Sequence, residues 1–372
     1  MNINSDFCRS LFPLLEPQTD ILLAFSGGVD SAVAAYLGKM AGLRVHAVCM
    51  RLLNTSEQDL SIVQNTADAL DIPLEFADFR EEFRNRVMYR CWEIFNSGKT
   101  PNPCIYCNPL IKFGVLSDFA VSKGYKAVIT GHYARNIRTA DNQCSLARGI
   151  YRQKDQSYFL YPLSAEQLAF SYFPLGTFTK PEIRTIAAEL HLPNAERKES
   201  QDVCFAPTDG TPVAEFLRGF FQKDFRHGCF IHAETGKILG QHRGIHCYTI
   251  GQRKGTGIAL GAPAYISKID PVHAAVYISS DEKTLFRNTF SIETCSGCGA
   301  KNVAEPFRAN VQIRYRSPAV PAMVYPQPDG TCLVKTDTPV RAVTPGQAAV
   351  FYDTADEYVL GGGIIMNPIE RG

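Results

Sequence analysis

The sequence predicts an α/β protein in which a parallel-sheet domain precedes two β-rich domains. Over the first 200 residues, short apolar segments alternate with amphipathic ones, as in parallel sheets covered by helices. A Ser-Gly-Gly loop joins the first of these strands to the first helix. After about residue 207, apolar segments flank turn sequences instead, which indicates hairpins. The 372 residues exceed what one hydrophobic core usually spans.

Four apolar segments are predicted strands of the parallel sheet: residues 21–25, 44–50, 73–79 and 126–130. Helices are predicted over residues 60–70 and 110–123, the second ending at Gly124. Ser164 with Gln167, and Thr179 with Glu182, have the spacing of capping boxes and predict two further helix starts. A sheet of this kind binds ligands beyond the carboxyl ends of its strands.

Three hairpins are predicted in the second half, turning at Thr235-Gly236, Asp270-Pro271 and Asp329-Gly330. We therefore divide the chain into a parallel-sheet domain over residues 1–207, a small β-rich domain over 208–282 and a β-barrel domain over 283–372.

The composition limits the compartment and the partners. The formal net charge of +1 provides no overall attraction for a nucleic acid, so an RNA partner would need local basic patches. The first 20 residues lack a secretory signal, and no stretch approaches the roughly 20 apolar residues of a membrane span. We expect a cytosolic protein whose 12 cysteines stay reduced.

The loop of residues 26–31 has the features of a phosphate site. Gly27 and Gly28 let the backbone amides point inward, and the following helix adds a partial positive charge. The hydroxyls of Ser26 and Ser31 are further donors to phosphate. Residues 26–31 lack the Gly-Lys-Ser/Thr of γ-phosphate-cleaving loops. The loop resembles that of ATP pyrophosphatases, which adenylate a substrate oxygen and release pyrophosphate. This resemblance implies that the parallel-sheet domain is of the adenine nucleotide alpha hydrolase type.

Two loop cysteines are candidate reactive thiols. Cys107 follows a Pro-rich segment, and a helix starting near Pro109 would stabilise its thiolate and lower its pKa. Cys204 lies in a charged loop near Arg197 and Lys198, where a reactive thiol and a buried apolar residue are equally supported.

Several basic groups are candidates for RNA contact. Arg314 and Arg316 flank Tyr315, an arrangement suited to phosphate contact and base stacking. The arginines of residues 80–90 share one predicted helix, and an ordinary solvated face explains them equally well.

Taken together, the chain resembles the tRNA-specific 2-thiouridylase (MnmA) family over nearly its whole length. The motifs that carry this resemblance are residues 26–31, 100–108, 130–133, 154–160, 204–205, 251–255, 314–316, 344–347 and 361–365. The resemblance implies ATP-dependent 2-thiolation of a tRNA uridine, the wobble uridine of Lys, Glu and Gln tRNAs. It also implies a sulfur-donor protein or persulfide carrier as a partner, and Mg²⁺ accompanying ATP.

The resemblance assigns site residues as well. Cys204 would carry the incoming sulfur as a persulfide, and Cys107 would be the second thiol. The residues implied to hold ATP are Ala24, Phe25, Ser26, Gly27, Gly28, Val29, Asp30, Ser31, Met50 and Gly131. Those implied to meet the target base or the rest of the tRNA are Asn102, Pro103, Cys104, His132, Lys154, Asp155, Gln156, Arg314, Tyr315 and Gln347.

Cys104 stands where many members of the family have Asp, and it opens a second mechanism. Cys104, Cys107 and Cys204 could hold a [4Fe–4S] cluster with one iron left open for sulfide. The spacing of Cys104 and Cys107 alone does not decide between cluster and persulfide relay. Cys295 and Cys298 form a second pair, interpreted as ordinary thiols because no further pair completes a zinc site.

Two other functions remain open on the sequence. One is a synthetase with the same loop that acts on a free nucleotide, in which the loop cysteines would have no role. The other is an RNA-binding protein without catalysis, against which the intact Asp30 and Ser31 argue.

Overall fold

The computed structural model describes residues 3–139, 143–193, 203–293 and 305–366. Its strands are β1 Asp20–Ala24, β2 Arg44–Arg51, β3 Leu74–Asp78, β4 Val128–Ile129, β5 Ala134–Arg138, β6 Cys144–Arg148, β7 Ser171–Tyr172, β8 Gly228–His232, β9 Ile238–His242, β10 Tyr265–Asp270, β11 Ala275–Ser279, β12 Phe286–Ile292, β13 Phe307–Gln312, β14 Val320–Pro326, β15 Cys332–Arg341, β16 Ala348–Tyr352 and β17 Val359–Ile364. Its α-helices are α1 Ser5–Ser10, α2 Val29–Met40, α3 Glu57–Ala69, α4 Arg80–Phe83, α5 Tyr89–Asn96, α6 Pro103–Cys107, α7 Leu116–Ser122, α8 Ser157–Leu160, α9 Ala165–Ala169, α10 Lys180–Glu189 and α11 Val213–Phe220.

The predicted parallel sheet is confirmed, with the strand order β3-β2-β1-β4-β7 and parallel pairing throughout. Successive side chains of β1 enter different cores, as the two-residue period of a strand requires. Ile21 and Leu23 pack with α2 and α10, whereas Leu22 packs on the other face with the helices of residues 80–122. The sheet is therefore buried on both sides, which explains the unbroken apolar character of its strands.

Two long helical runs cover the second face, and each contains a π-helical segment. One joins α4 to α5 through Arg84–Met88, and the other joins α6 to α7 through Asn108–Val115. The second run begins at Pro103, with the Asn102 side chain capping the Cys104 amide at 3.2 Å. The prediction of a helix starting near Pro109 was therefore wrong. Pro109 lies inside the helix, where the wider π turn accommodates a residue without an N–H.

The run Pro103–Ser122 is also the one described helix with the length and hydropathy of a membrane span. The sequence prediction that no stretch approaches such a span therefore needs correcting. Ile111, Phe113 and Leu116 of this helix are fully buried in the protein's own core. Burial within the fold accounts for its apolar composition.

The second half is β-rich, and all three predicted hairpins are confirmed. The strands β10-β11-β8-β9 form one sheet, and β12-β15-β14-β13-β16-β17 form another. The two edges of the six-stranded sheet meet at an antiparallel bridge between Ile292 and Ile365, which closes it into a barrel. The capping boxes at Ser164 and Thr179 are both present. The domain bounds at residues 207 and 282 stay predictions.

The barrel packs directly on the first domain. Tyr158 and Leu160 of α8 share a core with Ala348, Val350 and Tyr352 of β16. The backbone of Thr100, just before α6, donates to the Pro345 carbonyl at 2.8 Å. A Cβ on Gly346 would lie 2.9 Å from Thr100 backbone atoms, and its φ is +90°. This close approach therefore requires glycine at position 346.

Candidate active site

The glycine loop lies where the sequence predicts it, between the carboxyl end of β1 and the start of α2. Gly28 is the N-cap of α2, and Gly27 has a φ of +65° with Val63 so near that a Cβ would lie 2.9 Å from it. The Ser31 hydroxyl donates to the Gly28 carbonyl at 3.0 Å and lies 3.3 Å from the Ser26 hydroxyl. Within the loop, the backbone curvature thus depends on glycine and is fixed by serine.

Gly131 completes this site from the neighbouring strand. A Cβ on Gly131 would lie 3.1 Å from the Asp30 carbonyl carbon and 3.2 Å from the Ser31 amide nitrogen. The strands β1 and β4 are adjacent, while β2 lies on the other side of β1. This is the point where the strand order reverses, the usual position of a ligand crevice in such sheets. Met50 is at the carboxyl end of β2, next in the sheet.

Two side chains that sequence reasoning missed hold Asp30 at this loop. Lys180 Nζ lies 2.7 Å from Asp30 Oδ1, and the Tyr133 hydroxyl donates to the same oxygen at 2.7 Å. Tyr133 belongs to a motif that the resemblance already marks, but Lys180 does not. Its only signal in the sequence is its position directly after the Thr179 cap, at the start of α10.

The thiol of Cys107 is buried, contrary to the prediction of a low pKa. Cys107 is the last residue of α6 within a continuous helical run, so no helix N-terminus faces it. Burial raises its pKa to about 12, and the nearby Cys204 and Cys104 add to the rise. Lys112 opposes the rise. In this conformation Cys107 is therefore a protonated thiol at neutral pH.

Cys204 is also a thiol in this conformation. The residue is exposed, yet enough protein surrounds its sulfur for desolvation to raise the pKa to about 11. Lys112 again lowers the pKa, and Cys104 raises it. The preceding Arg197 and Lys198, expected to favour a thiolate, lie outside the described residues. Lys112 is thus the cation that favours ionisation of both thiols, and the sequence analysis did not identify it.

Four thiols, rather than three, influence one another here. Desolvation raises the pKa of Cys91, and Cys104, Cys107 and Cys204 add to the rise. Burial also raises the pKa of Cys104. Cys91 is fully buried in the same core as Cys107. Ala24 and Met50, which the resemblance implies to hold ATP, pack against the same core.

The sulfur atoms of Cys104, Cys107 and Cys204 do not all lie within 4.8 Å of one another. They are therefore too far apart to ligate a single zinc ion, whose bonds to sulfur are about 2.3 Å long. An iron–sulfur cluster is larger and takes cysteine ligands on separate irons, so this donor set remains compatible with one. The second pair, Cys295 and Cys298, lies outside the described residues.

Glu215, His246 and Cys247 form another cluster of potential metal ligands, with atoms within 4.8 Å of one another. Glu215 Oε1 lies 3.0 Å from His246 Nε2 and accepts from the Cys247 thiol at 3.0 Å. Arg218 donates to Glu215 Oε2 at 2.9 Å. Hydrogen bonds and an arginine thus account for all of these atoms. The cluster ties α11 to the segment Ile245–Cys247 without requiring a metal ion.

Two of the residues implied to contact tRNA are buried structural groups. The Asp155 carboxylate accepts from Arg148 at 2.8 Å, from the Gly149 amide at 3.0 Å, and from the Ser157 hydroxyl and amide. With 4% of its side chain exposed, Asp155 is not available to RNA in this conformation. Burial lowers the pKa of His132 well below its ordinary value, so this ring is neutral, and its Nδ1 lies 2.7 Å from the Thr130 hydroxyl.

The remaining implied tRNA contacts differ in their exposure. Lys154 and Gln156 are both half-buried, and the Gln156 side chain accepts from the Tyr133 amide at 2.9 Å. Tyr315 packs on Phe159, with ring centroids 4.3 Å apart. Asn102 is the N-cap of α6, and Pro103 is buried beside it.

Arg314 and Gln347 line a cleft of about 260 Å³ where the three regions of the chain meet. The other lining residues are Thr100, Thr249, Ile250, Gly251 and Gln252. Arg314 donates to the Thr344 hydroxyl at 2.9 Å, and Gln347 donates to the Thr100 carbonyl at 2.9 Å. The cleft thus begins directly before the helix that carries Cys104 and Cys107.

The arginines of residues 80–90 do share one helical run, as predicted, but they are not equivalent. Arg80 is bound to Asp78 by a short ion pair of 2.6 Å. The guanidinium of Arg90 lies 4.5 Å from the centre of the Tyr106 ring, beside the thiol helix. Arg84 and Arg86 are exposed.

The parallel sheet and its glycine loop define a protein of the HUP-domain class. The family model described as the tRNA methyl transferase HUP domain matches residues 19–208. The models described as the tRNA methyl transferase PRC-barrel domain and the aminomethyltransferase beta-barrel domain match residues 214–280 and 287–365.

Full-length relatives define the family more closely. The tRNA-specific 2-thiouridylase MnmA of Chloroflexus aggregans is 40% identical over 360 residues, covering 94% of this chain and 99% of the relative. The enzymes of the same name from Picosynechococcus sp. and Acetivibrio thermocellus are 39% and 36% identical, covering 94% and 93% of this chain and 98% and 99% of those relatives. The chain therefore belongs to the tRNA-specific 2-thiouridylase family.

Proposed function

We propose that the protein is a tRNA-uridine 2-sulfurtransferase that consumes ATP. The observation that carries this proposal is the similarity, from end to end, to enzymes named tRNA-specific 2-thiouridylases. The resemblance further implies the wobble uridine of Lys, Glu and Gln tRNAs as the target. Two of the matched family models have descriptions that mention methyl transfer, but those descriptions assign no chemistry to particular residues. A group of interacting thiols on the same domain as the phosphate loop suits sulfur transfer.

The first step would be adenylation of the uridine. ATP, accompanied by Mg²⁺, would bind with its phosphates on the loop of residues 26–31 and its adenine near Met50. The uridine O2 attacks the α-phosphorus, and pyrophosphate leaves. This step turns a poor leaving group into a good one, because AMP departs far more readily than oxide. The closeness of Gly131 to Asp30 and Ser31 supports a shared binding surface at this point.

The second step would transfer sulfur. A donor protein or persulfide carrier loads Cys204 as a persulfide, and the Cys107 thiolate attacks the Cys204 sulfur. The terminal sulfur leaves as hydrosulfide, adds to C2 of the base and displaces AMP, which gives 2-thiouridine. The two cysteines are left as a disulfide, and a cellular thiol reductant must return two electrons. Because both pKa values are raised, binding of substrate must move charge or solvent toward the thiols; Lys112 is the nearby cation that favours ionisation.

A second candidate mechanism uses a [4Fe–4S] cluster held by Cys104, Cys107 and Cys204. Cys104 favours it, because it supplies a third thiol where many relatives have a carboxylate. Such a cluster with one iron free of cysteine would supply a binding site for sulfide. The adenylation step, and the residues of the glycine loop that perform it, would be the same in both mechanisms.

The tRNA would approach the thiols through the cleft at Arg314 and Gln347. A uridine in an anticodon loop is single-stranded and turns outward at modest energetic cost. The barrel and the small β-rich domain would hold the stem mainly through phosphates, and the pocket would select the base. Asn102, Pro103 and Cys104 precede Cys107 on one helical run, so a base in contact with them would lie beside the reacting sulfur.

The deciding experiment separates the two steps. With unmodified tRNA and ATP, the Cys204→Ser protein should release pyrophosphate but form no 2-thiouridine, whereas Asp30→Ala should lose both. Pyrophosphate release that does not depend on tRNA would favour a synthetase for a free nucleotide, and no release at all would favour a non-catalytic RNA-binding protein. Loss of pyrophosphate release in a folded Cys204→Ser protein would contradict the division of roles.

Iron content decides between the two sulfur mechanisms. Protein purified without oxygen is assayed for iron and sulfide alongside thiolation. Activity of iron-free protein with a persulfide donor would establish the relay. Activity only with about four irons per chain would establish the cluster.

A further inference from the structure

A buried cation borders the phosphate loop and has no role in the reaction proposed so far. Lys180 Nζ lies 2.7 Å from Asp30 Oδ1, and 8% of the Lys180 side chain is exposed, against 31% for Asp30. Burying an ammonium group costs free energy that a surface pair does not require. Asp30 is accessible enough to be solvated without this partner. The burial of Lys180 therefore suggests a function beyond neutralising Asp30.

The backbone of Lys180 is fixed, so only its side chain is free to change partner. Lys180 is the first residue of α10, which the Thr179–Glu182 capping box holds at its start. Ile183 and Ile186 of the same helix pack into the core that contains the buried face of α2. The four-carbon side chain thus reaches the loop from a rigid anchor, as a ligand-binding group should.

The charge at the loop also needs an additional cation when ATP is bound. By resemblance, the loop of residues 26–31 holds the pyrophosphate half of ATP, and the Asp30 carboxylate lies in that loop. Like charges held this close repel each other strongly where solvent is limited. The Lys180 ammonium is the cation that contacts this carboxylate in the structure.

We propose that Lys180 is a ligand of the β- and γ-phosphates of ATP, and that its ion pair with Asp30 is the resting partner of that ammonium. On ATP binding, the Lys180 side chain turns from Asp30 to the phosphate oxygens. The Tyr133 hydroxyl already donates to Asp30 Oδ1, so the carboxylate keeps a hydrogen bond when Lys180 leaves. The inference rests on the proposed use of ATP at this loop.

Binding measurements with ATP, inorganic pyrophosphate and AMP test this assignment by calorimetry. Lys180→Met keeps the length of the side chain and removes its charge. It should weaken the binding of ATP and of pyrophosphate by about 10- to 100-fold, the effect of losing a hydrogen bond to a charged group. AMP binding should be unchanged, and Lys180→Arg should restore much of the lost affinity. Lys39→Met is the matched control. Lys39 pairs with Asp71 and lies at the C-terminal end of α2, whereas Asp30 lies at its N-terminal end.

The double variant Asp30→Asn with Lys180→Met distinguishes direct contact of Lys180 with phosphate from neutralisation of the Asp30 charge by Lys180. If Lys180 touches phosphate, Lys180→Met still weakens pyrophosphate binding when Asp30 is already Asn. Equal affinities of the Asp30→Asn protein with and without Lys180→Met would overturn the proposal, as would an equal loss of ATP and AMP. Failure of the wild-type protein to bind ATP would instead refute the proposed function itself. Circular dichroism and thermal melting confirm that each variant is folded.

Discussion

Replacing Asp155 by alanine tests whether this residue is structural or a tRNA contact. The change removes the acceptor for four hydrogen bonds, two of them from backbone amides, and deprives the buried Arg148 guanidinium of one carboxylate. Arg148 keeps Asp356 and Gln312 as partners. Breaking one side of a buried ion pair costs about 3–5 kcal/mol, and the retained partners place the expected loss of unfolding free energy toward the lower figure.

The assay is urea unfolding followed by circular dichroism, in parallel with binding of unmodified tRNA at fixed salt. Asp337→Ala is the matched control, because Asp337 makes a two-point ion pair with Arg308 on the surface of the barrel. That pair should contribute about 0–1 kcal/mol. Lys154→Ala should leave stability nearly unchanged and weaken tRNA binding. The structural interpretation fails if Asp155→Ala is no less stable than Asp337→Ala but binds tRNA more weakly.

Three further predictions follow from the site and its surroundings. Gly131→Ala should weaken ATP binding because its Cβ would press on Asp30 and Ser31, whereas Gly219→Ala, with open space around it, should not; calorimetry that finds them equal would contradict the geometry. Gly346→Ala should destabilise the protein by about 1–3 kcal/mol more than Gly261→Ala, which shares the positive φ but touches nothing, as measured by urea unfolding. Burial raises the pKa of the Cys107 thiol from its ordinary value of 9.0 to about 12. The buried, protonated thiol therefore contributes its full stabilisation below pH 9, and this stabilisation is lost as the pH rises toward 12. Over that range this thiol should lower the free energy of unfolding by at most about 1.4 kcal/mol per pH unit. Cys107→Ala should make the free energy of unfolding fall less steeply above pH 9; an unchanged slope would mean that the thiol is already ionised in the folded protein.

The parallel sheet could be predicted from the sequence because its evidence is local. Each strand is a short apolar run, and the turn and cap residues that follow act within a few positions. The hairpins at Thr235-Gly236 and Asp329-Gly330 follow from turn residues that adopt positive φ at Gly236 and Gly330. The start of the thiol helix was missed because Pro109 resembles a first helical residue, whereas a π turn accommodates it inside the run.

The chemistry of the site depended on contacts that local sequence does not record. Lys180 meets Asp30 across 150 positions, and Asp155 meets Arg148 within a network that extends to the barrel. The pKa of Cys107 was predicted to fall on the basis of an adjacent helix start, but burial by distant segments raises it. Residue types and spacing therefore predict candidate reacting groups, while their burial and partners required the fold.

The contact of Gly346 with Thr100 has a consequence for biosynthesis. Thr100 precedes the helix that carries Cys104 and Cys107, and its amide is bound by the carbonyl of Pro345. The ribosome synthesises the chain from its N-terminus, so the glycine loop and the sheet, whose last strand ends at Tyr172, both emerge well before Pro345, which anchors the thiol helix. A nascent chain can therefore form its glycine loop while the start of the thiol helix still lacks its anchor, and the two reach their final arrangement only after the barrel segment that contains Pro345 has emerged.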